Sequence, residues 1–177
     1  MTSTYQLRQH WIDIARLDVG KVEVTKNAAP WIAKLWPATN YPDGMANREP
    51  YCAAGMAYTL WQWIDRQDVC EALGKTQLES LKWRCKSAVA FDWEKWAKRN
   101  GVLVLPPHCI LHAADLAVYD YHGQGHIELV TNDDGTTKGP FTAIGYNTNA
   151  AGARDGEGCF EKPRSREKVK CFLRVLA

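Results

Sequence analysis

At Asn100-Gly101 the hydrophobic period of this chain changes, and that change limits the folds open to it. Upstream, apolar residues recur at helical spacing. Leu7, Trp11, Ile14 and Ala15 do so over 5–16, a second cluster spans 30–36 behind Pro30, and Leu78, Leu81, Trp83, Ala88, Val89, Trp93 and Trp96 predict one helix over 76–98. Downstream, the segments 102–105, 116–121, 126–131, 141–144 and 170–175 are short and β-prone, with Pro, Gly, Asn or Asp between them. Helices followed by strands, not alternating with them, predict an α+β domain in which N-terminal helices pack on a C-terminal antiparallel sheet. At 177 residues a single domain over 1–177 is expected, long enough to bury a core without metal or disulfide staples.

Composition narrows the function classes. A net charge of +2, with basic residues concentrated only between positions 154 and 174, argues against a dedicated nucleic-acid binder. No apolar run approaches the roughly 18 residues of a membrane span, and no leader pattern follows Met1, so synthesis in the cytoplasm without a signal peptide is expected. Six cysteines are present, at Cys52, Cys70, Cys85, Cys109, Cys159 and Cys171, and without an export signal they are expected to be mostly reduced. None shows zinc-ligand spacing with another Cys or His, so no metal is expected.

One cysteine stands apart. The loop 37–50, rich in Pro, Gly, Asn and Asp, delivers the chain to YCAAGMAYTLWQWI, which predicts a helix buried on most sides with Cys52 in its first turn. Free backbone N–H groups and the helix dipole at that end favour thiolate over thiol, and the thiolate is the nucleophilic form. In the strand half, GHIELV puts His126 and Glu128 on the same face of one strand. The next strand, FTAIGYNTNA, brings Asn147 back beside them. Cysteine, histidine and a polar orienter are the parts that thiol acyl transfer needs.

The stretch PYCAAGMAYTLWQW resembles the nucleophile helix of CHAP domains, the cysteine, histidine-dependent amidohydrolase/peptidase family. ADLAVYDY is similar to the family's strand before the base, GHIELV to its histidine strand, IGYNTNA to its Asn-Thr strand, and RDGEGCFEKPRS to the closing segment of phage-lysin members. The lead-in DVGKVEVTKNAAPWI matches in order as well. The resemblance implies a papain-like fold with Cys52 as nucleophile, His126 as general base and Asn147 as the residue that holds the imidazole. Many members carry Glu two residues before that Asn, where this chain has Gly145, so Glu128 is the alternative orienter. Tyr51 and Tyr146 are candidates for lining the substrate groove.

The resemblance further implies hydrolysis of an amide bond in bacterial peptidoglycan, either at the sugar–peptide junction or within the peptide, with no cofactor. The enzyme is then expected to act as a monomer after holin-type release or delivery by a secretion system, facing an immunity protein if it is an effector. Two other classes stay open: an intracellular cysteine peptidase or transferase acting on protein, and a catalytically silent wall-binding module.

Overall fold

Ser3 accepts the Gln6 N–H through its hydroxyl while the Gln6 side chain takes the Ser3 N–H, and this capping box opens α1 (Thr4–Arg16). The computed structural model describes residues 2–149 and 156–177. After α1 come α2 (Pro30–Ala33), a 3-10 turn at Trp36–Ala38, α3 (Cys52–Trp63), α4 (Gln67–Ala72), α5 (Gln77–Trp83) and α6 (Ala90–Arg99). The strands β1 (Leu103–Leu105), β2 (Leu116–Tyr121), β3 (Gln124–Asp133), β4 (Phe141–Thr148), β5 (Gly158–Arg164) and β6 (Val169–Arg174) form one antiparallel sheet in the order β1-β6-β2-β3-β4-β5. The expected α+β division is what the structure has.

Two expectations need correction. The helix predicted over 76–98 is two helices. Arg84 leaves the helical region with ψ at 147°, and the Ser87 hydroxyl accepts the Val89 N–H at 3.1 Å and bonds Asp92 at 2.9 Å. A serine that satisfies the backbone locally competes with a continuing helix. In addition, β5 forms within what reads in sequence as a closing segment; the start of that segment, Arg154 and Asp155, lies outside the described residues.

Helix α3 is the buried axis of the molecule. Nine of its residues are buried, and its small side chains let neighbours approach closely. Trp11 of α1 stacks on Trp63 with centroids 4.7 Å apart, and both indoles are polar-satisfied, by Thr59 Oγ1 at 3.1 Å and the Leu7 carbonyl at 2.8 Å. On the other side, Gly55 meets the ring of Tyr146 so closely that a Cβ there would lie 2.2 Å from it. This contact sets β4 against the first turn of α3, the turn that begins with Cys52. A smaller cluster, including Tyr119, Val130, Phe141 and Phe172, fills the opposite face of the sheet.

Candidate active site

Cys52 is the first residue of α3, and its N-cap, Tyr51, offers no side-chain cap. The first-turn N–H groups therefore have no intrahelical acceptor and no capping side chain from Tyr51, and they set the positive end of the helix dipole beside the sulfur. Backbone N–H groups of Ala53 and of Ile127 on β3 both act on the thiol. Burial alone would push its pKa up. The charge of His126, aided by those N–H groups, outweighs burial and brings it below the ordinary thiol value.

His126 is 1 % exposed, and its Nε2 lies 3.0 Å from Glu128 Oε1. Burial would lower the imidazole pKa. The Cys52 thiolate, the largest charge acting on the ring, and then Glu128 reverse this and raise it to about 9. The other ring nitrogen, Nδ1, is buried without a hydrogen-bond partner, so it is the one left for the sulfur. These shifts favour thiolate on Cys52 and imidazolium on His126, with the Glu128 carboxylate on the ring's Nε2.

That carboxylate is itself tightly held. Glu128 is fully buried, which would raise its pKa, but His126 and then Arg164 bring it down to about 2. Arg164 on β5 grips both oxygens, donating from Nε to Oε2 at 2.7 Å and from Nη2 to Oε1, and its Nη2 also donates to Thr148 Oγ1 at 3.0 Å. The Tyr119 hydroxyl donates to Oε2 at 2.8 Å. The pairing registers explain the convergence: Tyr119 lies opposite His126 on β2, and Gly145 lies opposite Glu128 on β4. A Cβ at Gly145 would sit 2.2 Å from Glu128 Oε1. Gly145 is thus the space that the carboxylate occupies.

Comparison with family models gives no match, and no curated protein matches the chain. The site therefore rests on its geometry, which rearranges the residues expected from sequence. Cys52 and His126 come together. The side chain in hydrogen-bond contact with His126 is that of Glu128, the alternative to Asn147. Asn147 is 2 % exposed, with φ at 54° and its Oδ1 unpartnered, in a break of the β4–β5 register.

Tyr51 and Tyr146 are fully buried and do not line a groove, which corrects that expectation. Tyr51 packs edge-on to Trp31 at 5.6 Å; burial first, and then the Glu23 carboxylate, push its phenol pKa up. Tyr146 covers Gly55 and donates to Asp18 Oδ2 at 3.0 Å. Sequence reading missed Arg164 and Tyr119. Tyr119 was within reach, because the tight β2–β3 turn fixes its register with His126; Arg164, 36 residues beyond Glu128, carried no such signal.

Cys52 opens onto a cleft of about 600 Å³ walled by Trp36, Tyr41, Glu49, Phe91 and Gly125, among others. Aromatic walls with a few polar groups suit an extended substrate. Among the described residues, no group of three or more His, Cys, Asp or Glu side chains is placed to hold a metal ion, and no helix is long and apolar enough to cross a membrane.

Proposed function

We propose that this chain is a cysteine hydrolase of papain-like arrangement, similar to CHAP domains, which cleaves an amide bond in bacterial peptidoglycan. The observation that carries the chemistry is the line Cys52, His126, Glu128, of which Cys52 lines the cleft: a thiol at a helix start, an imidazole coupled to it, and a buried carboxylate on one nitrogen of the ring. The substrate class is supported by the ordered resemblance of the sequence segments.

The Cys52 thiolate attacks the amide carbonyl carbon, and the negative charge passes to the carbonyl oxygen. The uncapped N–H groups at the start of α3 are the donors this reading assigns to that oxygen. His126 delivers its proton to the departing nitrogen as the C–N bond breaks, which leaves a thioester and a neutral imidazole. Water then attacks the thioester and gives its proton to His126. The C–S bond breaks, an acid leaves, and the ion pair is restored. Glu128 holds one ring orientation throughout, and Arg164 and Tyr119 hold Glu128. No cofactor enters these steps. Glu128 also removes the one sequence argument for a silent module, the acid missing at position 145.

Digestion of purified sacculi by wild type and Cys52→Ala, followed by turbidity and by mass spectrometry of the new ends, tests this reading. Clearing by wild type alone, with defined new amine ends, supports it and names the bond. No release by either protein across several wall types, under reducing conditions, would set the peptidoglycan reading aside.

A further inference from the structure

A second cavity, of about 390 Å³, adjoins the cleft and shares Asn40, Ser87 and Asp92 with it. Its character is opposite. The charged groups on the Cys52 cleft are Glu49 and Asp92, both acids, whereas the adjoining cavity carries Arg84, Lys86, Lys95 and Arg99 against Asp92 alone, a formal excess of three positive charges. Lys95 is paired with Asp92 at 2.8 Å. Among the described residues, Arg84, Lys86 and Arg99 have no carboxylate in salt-bridge contact.

Arg84 is the most constrained of the group. One of its Nη nitrogens donates to the Ala38 carbonyl, its guanidinium lies 5.4 Å from the centre of the Trp61 ring, and its Nε is buried without a partner. A guanidinium held in one place by these contacts, at the wall of the cavity, is preorganised for a carboxylate or phosphate. Gathering several cations without counter-charge costs stability through mutual repulsion, and an anion relieves that cost. The segment that carries Arg84 and Lys86 is the same one that interrupts the helix expected over 76–98, so the break builds this wall.

We infer that the basic cavity between α5 and α6 binds an oxyanion, a carboxylate or phosphate, belonging to the molecule whose amide lies at Cys52. Occupancy of the cavity is independent of catalysis; its use in placing the substrate rests on the hydrolase reading. The cleft and the cavity together would then favour a substrate with an anionic group on one side of the scissile bond.

The full chain labelled with 5-fluorotryptophan reports directly, because Trp96 lines the cavity and Trp61 lies against Arg84. The probes are inorganic phosphate, succinate and the neutral succinamide, titrated at constant ionic strength and followed by fluorine NMR. Saturable shifts at Trp96 and Trp61 are expected with phosphate or succinate and none with succinamide. Whichever anion binds more tightly identifies the source of the oxyanion. The Lys86→Gln/Arg99→Gln variant, altered only at exposed positions, should bind at least about tenfold more weakly, which corresponds to roughly 1.4 kcal/mol.

Absence of a saturable shift, equal affinity in the variant, or an equal response to succinamide would overturn the inference. Cys52→Ala should bind the probes as wild type does, which separates the two proposals. Probe binding without cleavage of sacculi leaves the cavity standing and the hydrolase reading fallen. Cleavage without probe binding, at an unchanged KM in the exposed variant, does the reverse.

Discussion

Two buried carboxylates, Glu128 within the sheet and Asp115 just before β2, are each gripped by an arginine through both oxygens, yet only Glu128 touches His126. Asp115, 1 % exposed, accepts Arg174 Nε at 3.0 Å and Nη2 at 2.8 Å, with the His112 backbone N–H at 2.8 Å as a further donor. Glu128, fully buried, accepts Arg164 in the same way, but its further donors are the Tyr119 hydroxyl and the ring of His126. The first pair ties β6 to the start of β2, and Arg174 Nη2 also donates to the Ile110 carbonyl at 2.9 Å. The second passes its charge to a titratable ring whose other nitrogen is left for a sulfur. A buried ion pair is therefore weak grounds for assigning function. What marks the site is a partner that can itself gain or lose a proton.

The sharpest way to break this contrast is to neutralise both carboxylates. Glu128→Gln should lower kcat on sacculi by about a hundredfold or more, because the ring loses the charge that holds its orientation and stabilises the imidazolium. Asp115→Asn should leave kcat within about threefold. Both should lose stability, by on the order of 2–4 kcal/mol, since each leaves a half-buried arginine without its carboxylate. Denaturant titration beside the kinetics separates the two effects. Equal kcat losses would mean that Glu128 is only structural.

The arginines sharpen the comparison further. In Arg164→Met, Glu128 keeps a buried carboxylate without its counter-charge, so its pKa rises from the present value of about 2. The acid limb of the activity profile should then move to higher pH, with about a tenfold loss near neutrality that lysine at 164 partly restores. Arg174→Met should leave the profile in place. Gly145→Ala comes next. Its Cβ would meet Glu128 Oε1 at 2.2 Å, so the carboxylate must swing away from His126, and a loss of about tenfold with little change in KM is expected. The smallest effect belongs to Asn147→Gly. It removes a buried unpartnered acceptor and relieves a non-glycine φ of 54°, so the melting temperature should hold or rise while kcat stays within about threefold. A hundredfold loss there would return the orienter's role to Asn147.

Much of this architecture can be read from residue spacing. The change of period at Asn100-Gly101 separates helices from sheet, and the loop before Cys52, followed by small apolar residues, places that thiol at a helix start. His126 and Glu128 are legible as a same-face pair because the strand period is 2. Other features depend on what lies across a strand. Gly145 reads in isolation as a missing acid, and only the register that sets it opposite Glu128 shows that an acid on the neighbouring strand fills its place. Tyr51 and Tyr146 read as groove aromatics because loop and strand-end tyrosines often are exposed. Their burial follows from Trp31 and Gly55, contacts that no local pattern encodes. The split between α5 and α6 escaped because apolar spacing continues through Ala88 and Val89, while the Ser87 bonds that end the helix are local and polar.

The two charge shifts also set how stability responds to pH. The raised pKa of His126 contributes stability that is fully present below the unfolded imidazole value near 6.5 and is lost as pH rises through about 9. The lowered pKa of Glu128 contributes stability that is present above about 4.5 and is lost as pH falls toward about 2. Between those limits Glu128 stays ionised and His126 protonated, and on the alkaline side His126 loses its proton.

The rate of Cys52 alkylation by iodoacetamide as a function of pH, with the modified residue identified by mass spectrometry, measures the thiolate directly. Cys52 is expected to react well below the pH at which an ordinary thiol does, with a plateau that changes as pH passes about 9, and Glu128→Gln should shift this profile while Asp115→Asn should not. A single rise centred on the ordinary thiol range near 8.5, the same in all three proteins, would contradict it.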